Sequence, residues 1–103
     1  MGVIKKMVNS VIDKTKLYSQ AWAQYGASKQ IVVAMEECAE LTKELSKMLR
    51  GKENLRAVAE EMADVEIMLE QIKQHFSCAC IVEGYKEYKI QRLNERLNNA
   101  KEQ

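Results

Sequence analysis

Residues 36–64 read EECAELTKELSKMLRGKENLRAVAEEMAD, and the spacing of acids within this stretch decides the fold. Glu37 and Glu40 stand three residues apart, as do Glu61 and Asp64, so in a helix each pair shares one face. An apolar stripe at helical spacing passes through Ala34, Cys38, Leu41, Leu45 and Met48 in the first half. A second passes through Leu55, Val58, Met62, Val65, Met68 and Ile72. Glu37 falls between Ala34 and Leu41, Glu40 lies almost in line with Val33, and Glu61 falls between Val58, Val65 and Met68. Asp64 lies beside Ala57 and Met68. A carboxylate set into an apolar face costs several kcal/mol unless it is paired or metal-bound. Here the same anomaly occurs twice, on two consecutive helices.

Working outward, the periodicity predicts helices over about 29–50 and 54–75, broken by Gly51 and a short polar connection. Upstream, Val3, Ile4, Met7, Val11, Leu17 and Trp22 predict a helix over 3–24 that ends at Gly26, with Ser28 as a cap for the next one. Downstream, Ile81, Val82, Tyr85, Tyr88, Leu93 and Leu97 predict a helix over 81–99, along which Lys86, Lys89, Arg92 and Arg96 form a basic ladder. Four helices with short connections and no Pro make an all-α four-helix bundle, one domain over 1–103. So short a chain offers a shallow face, so the core is expected to be completed by a homo-oligomer.

The net charge of +1 gives no bulk reason to expect nucleic acid, but its distribution is uneven. Residues 1–35 carry +4, residues 36–70 carry −5 and residues 71–103 carry +2. The acid is thus focused on the two carboxylate pairs. Cys38, Cys78 and Cys80 form no disulfide framework and are expected to be reduced thiols in a cytoplasmic protein. The start lacks a signal-peptide pattern, and no stretch approaches the ~18 apolar residues of a membrane span.

Four carboxylates from two helices suit a hard divalent cation, magnesium foremost, whose shell is completed by water and substrate phosphate. With His75 the single histidine and distant from both pairs, zinc and iron are disfavoured. A cage of this kind, holding cations that polarise a phosphate and orient water, points to a phosphorylated substrate, with Glu36 or Glu37 as the general base.

EECAE (36–40) followed by EMAD (61–64) resembles the EExxE…ExxD signature of the MazG-like all-α nucleoside triphosphate pyrophosphohydrolases. The likeness takes in Gly26 and Gln30, the run ADVEIMLEQ (63–71) and the segment EYKIQRLNERL (87–97), covering roughly residues 20–97. It implies hydrolysis of (deoxy)nucleoside triphosphates to a monophosphate and pyrophosphate, with magnesium, or manganese in its place, held by Glu37, Glu40, Glu61 and Asp64. It also implies that Glu36 helps position the water and that Lys89, Arg92 and Arg96 meet phosphates. Trp22 and Gln30 would face the base, and the chain would act as a homodimer or homotetramer. Phosphoribosyl-ATP pyrophosphatases share this fold and acid motif and remain an alternative substrate class. A non-catalytic helical regulator that retains the cage is the alternative outside enzymes.

Overall fold

The computed structural model describes residues 11–102, which contain four α-helices and no strand. Helix α1 is Lys14–Tyr25, α2 is Ala27–Leu49, α3 is Leu55–His75 and α4 is Ala79–Glu102. The all-α expectation therefore holds, with the ends of the helices revised by local chemistry.

Residues 11–13 are not helical, although a helix was expected over 3–24; the part of that expectation covering 1–10 lies outside the described residues. The reason is Asp13, whose carboxylate accepts from the backbone N–H of Lys16 at 3.2 Å and caps α1 in an extended conformation. Gly26, with φ of 89°, closes α1 and opens α2 at once, so Ser28 sits inside the helix and caps nothing. Helix α2 ends in a Schellman turn around Gly51, φ 93°: the N–H of Gly51 donates to the Met48 carbonyl and that of Lys52 to the Lys47 carbonyl. Helix α3 ends in the same turn without a glycine. Ser77 takes φ 52°, its N–H donating to Gln74 and that of Cys78 to Lys73. Helix α4 then starts two residues earlier than the apolar spacing suggested, with the Cys78 carbonyl accepting from Val82.

Helices α2 and α3 pair as an antiparallel hairpin. Its register is set by three contacts: Glu44 with Asn54 near the loop, Glu37 with Asp64 at the middle, and Gln30 with Gln71 at the open end. Helix α1 lies against both members of the hairpin, whereas α4 touches only α3. The core is small and consists of Tyr18, Trp22, Ala34, Val58 and Met68, and no described side chain is completely enclosed. A radius of gyration of 18.4 Å far exceeds the ~13 Å of a compact domain of this length. Every residue of α4 from Glu83 to Lys101 is exposed.

Hydrogen bonds reinforce the thin core. Gln71 Oε1 accepts from Trp22 Nε1 at 2.9 Å and from Gln30 Nε2 at 3.1 Å, all three residues being buried. His75 stacks on the Trp22 ring at 4.1 Å, and Phe76 meets it edge-on. Glu70 accepts from the Tyr18 hydroxyl and from Lys14, which holds its carboxyl below the ordinary range. Burial, then the bond to Glu70, raises the Tyr18 hydroxyl in turn.

Candidate metal centre

The hairpin register sets Glu37 of α2 opposite Glu61 and Asp64 of α3. One carboxylate oxygen from each comes within 4.8 Å of the others, and all three side chains are half-buried. Glu37 and Asp64 lie within hydrogen-bonding range of each other, a close approach of two acids across the hairpin. Burial is the first cause raising the Glu37 carboxyl above the ordinary range, followed by the bond to Asp64 and the charges of Asp64, Glu61 and Glu40. The Glu61 carboxyl is raised as well, first by burial and then by Asp64, Glu40, Glu60 and Glu44.

Glu61 Oε2 is the sharper observation. It is buried and has no hydrogen-bond partner. A buried anionic oxygen without a donor is strongly unfavourable unless a cation supplies the missing partner. Acid-only, half-buried and crowded, the donor set suits magnesium or manganese and offers no soft ligand for zinc.

The other expected residues fall into three groups. Glu40 is exposed on the flank of α2, near enough to raise both Glu37 and Glu61 yet outside the three-acid cluster. Glu36 is exposed on α2, roughly 100° around the helix from Glu37. Trp22 and Gln30 are in the core, each bonded to Gln71, with a recess of about 190 Å³ beside the Trp22–His75 stack. That recess lies about two helical turns beyond Asp64 along α3. Lys89, Arg92 and Arg96 are exposed along α4, where Arg92 lies over the Tyr88 ring at 5.8 Å. None of these three pairs with an acid of α2 or α3 among the described residues.

Two further residues shape the site. Glu44 is buried between the helices, where Lys47 at 2.9 Å and the Asn54 amide at 3.1 Å lower its carboxyl below the ordinary range. The Asn54 amide also donates to the Glu44 carbonyl, tying the hairpin just behind the cluster. Gln71 is the second. Both stand seven residues from a motif acid, Glu44 from Glu37 and Gln71 from Asp64, which puts them on the same helix faces. That interval was the signal available in the sequence.

Fold and site together define an all-α protein with a half-buried cluster of three carboxylates on a helical hairpin. Comparison with protein-family models, curated proteins and solved structures finds no match for the chain.

Proposed function

We propose that this chain is a magnesium-dependent nucleoside triphosphate pyrophosphohydrolase of the MazG-like, four-helix-bundle type, working in the cytoplasm as a homodimer or homotetramer. The observation that carries the proposal is the cluster of Glu37, Glu61 and Asp64, with oxygens within 4.8 Å and an orphaned buried oxygen on Glu61. Glu40 joins this set as the outer, exposed ligand. The free state of Cys38, Cys78 and Cys80 supports a reducing compartment. Among the described residues no helix is long and apolar enough to cross a membrane.

Magnesium, when bound, supplies Lewis-acid neutralisation of the triphosphate and lowers the pKa of a coordinated water. The chain's own residues do the rest. Glu37, half-buried and with its carboxyl raised above the ordinary range, takes the proton of the attacking water. Glu36, on the exposed side, holds that water in line. A water oxygen bonds to the α-phosphorus, the bond from α-phosphorus to its bridging oxygen breaks, and pyrophosphate and a monophosphate leave. Lys89, Arg92 and Arg96 offset the phosphate charge, and Trp22 and Gln30 support the wall beside the base.

A pyrophosphate-release assay over canonical and modified nucleotides, with phosphoribosyl-ATP beside them, tests the proposal. Magnesium-dependent turnover that Glu37→Gln or Asp64→Asn abolishes is the expected result. Turnover on phosphoribosyl-ATP alone would move the chain to that substrate class. Magnesium-dependent stabilisation with no turnover on any substrate would identify a regulator.

A further inference from the structure

Helices α3 and α4 diverge soon after the turn that joins them. Val82, in the first turn of α4, is half-buried, and Lys86 shares a recess with Glu66, Leu69, Glu70 and Lys73 of α3. From Glu83 onward α4 is exposed, and the side of α3 that it leaves behind is exposed as well. Leu55, Met62 and Leu69 stand at seven-residue intervals on α3 and are 72, 47 and 46% exposed. That interval drifts by only about 20° per step around a helix, so the three form one stripe along α3. An apolar stripe left in water is unfavourable unless something covers it.

Helix α4 carries the counterpart. A strip about 60° wide along it holds Val82, Lys86, Lys89, Leu93 and Ala100, with Leu97 at one margin and Arg96 at the other. Leu93 and Leu97 are 49 and 56% exposed. The register follows from the contact already made. Because the chain reverses over 76–78, each step outward along α4 faces one step back along α3. With Lys86 across the recess from Leu69, Leu93 comes opposite Met62 seven residues on, and Ala100 opposite Leu55 seven further. Leu97 falls beside Ala100, over the same Leu55. The charged part of the strip stays at the turn end, where Lys86 and Lys73 share their recess with Glu66 and Glu70. Phe76, Ser77 and Cys78 alone join the two helices. A few residues at the ends of elements are what absorb the dihedral changes of a hinge.

We infer that α4 is a hinged strap with two positions. Open, it stands off α3 and leaves an apolar stripe on each helix in water. Closed, it swings about 76–78 until Leu93 covers Met62 and Leu97 with Ala100 covers Leu55. The strap therefore presents the two stripes together or hides them together, with the Lys86 recess as the fixed end of the contact. Gln91, about 180° around α4 from Val82, faces water in both positions. Nothing in the inference depends on the proposed pyrophosphohydrolase activity.

The test uses the full chain in a background with Cys38, Cys78 and Cys80 replaced by Ser. Met62→Cys and Leu93→Cys are introduced together and the protein is mildly oxidised. A disulfide forms only where the two Cβ atoms approach to about 3.5–4.5 Å, so it reports the closed position directly. The expected result is loss of both thiols within single chains, at a rate independent of protein concentration. Met62→Cys with Gln91→Cys, two residues away on the far side of α4, should keep its thiols. Both Met62 and Leu93 are half-exposed, and retained helical circular dichroism confirms folding. Should that variant unfold, Leu55→Cys with Ala100→Cys reads the same closure farther from the hinge. The open position is read separately: the thiol of Met62→Cys alone should react with a bulky maleimide in the native protein. Absence of an intrachain disulfide in both pairs would overturn the inference, as would equal cross-linking of the Gln91→Cys control. Disulfides that form only between chains, faster at higher concentration, would assign the stripe to a second copy instead. A Met62→Cys thiol that never reacts would mean a fixed, closed α4 and no hinge.

Discussion

Replacing Gln71 by Leu isolates the hydrogen-bond junction that joins all three helices of the packed body. Gln71 Oε1 accepts two bonds, from Trp22 at 2.9 Å and from Gln30 at 3.1 Å. Trp22 is 5% exposed and Gln30 7%, so neither donor can turn to water when the acceptor disappears. Each stranded buried donor costs about 1–3 kcal/mol, giving a loss of roughly 2–6 kcal/mol for Gln71→Leu. The similar volume of Leu keeps a cavity contribution small. Against a total stability of about 5–15 kcal/mol this is a large fraction. With a urea slope of about 1–3 kcal/mol per molar, the midpoint should fall by about 2 M. Helical circular dichroism reports the transition in every variant, including those that lack Trp22, the single tryptophan. A double-mutant cycle sharpens the test: Trp22→Phe removes one of the two stranded donors, so the Gln71→Leu penalty should shrink by about 1–3 kcal/mol in that background. A penalty below about 0.5 kcal/mol, the range of ordinary surface substitutions, or one unchanged by Trp22→Phe, would refute the junction.

Magnesium at ten times its dissociation constant should stabilise the fold by about 1.4 kcal/mol, a rise in Tm of roughly 6–11 °C. Scanning calorimetry of Glu61→Gln should show a higher metal-free Tm than wild type and almost no response to magnesium; an undiminished response would remove Glu61 from the site. The pH dependence of metal-free stability follows from the raised carboxyls of Glu37 and Glu61. Their contribution is fully present below their ordinary value near 4.5 and is lost as pH rises through the raised values, so Glu37→Gln should flatten urea midpoints on that upper side. Glu44 runs the other way: its lowered carboxyl contributes above the ordinary value and loses that contribution as pH falls through the lowered one, a limb that Glu44→Gln should remove. Ser77→Gly relieves a side chain held at φ 52° and should stabilise the chain by about 1 kcal/mol, read as a higher urea midpoint with unchanged slope.

Much of this architecture was legible in the order of residues. Helix-period stripes, Gly26, Gly51 and the absence of proline specify an all-α chain, because these are local preferences that act within a turn or two. The paired acids were legible as well, since Glu37/Glu40 and Glu61/Asp64 share faces by covalent spacing alone. The helix ends were less so. Asp13 caps α1 through its own carboxylate, and Ser77 closes α3 in a conformation that usually calls for glycine. Both outcomes depend on hydrogen bonds that composition does not announce.

What tertiary structure alone decided is which acids meet. Spacing treats Glu40 as the equal of Glu37, and only the hairpin register sets Glu37 against Glu61 and Asp64 while leaving Glu40 on the flank. The same register buries Glu44 behind the cluster and gathers Trp22, Gln30 and Gln71 into one junction. Packing also left α4 exposed from Glu83 to Lys101 despite its apolar residues. The physical reason is common to all of these. A sequence determines the direction of a side chain around its own helix, but contact between helices depends on their relative axial shift and rotation. Those are chosen by the packing of the whole molecule.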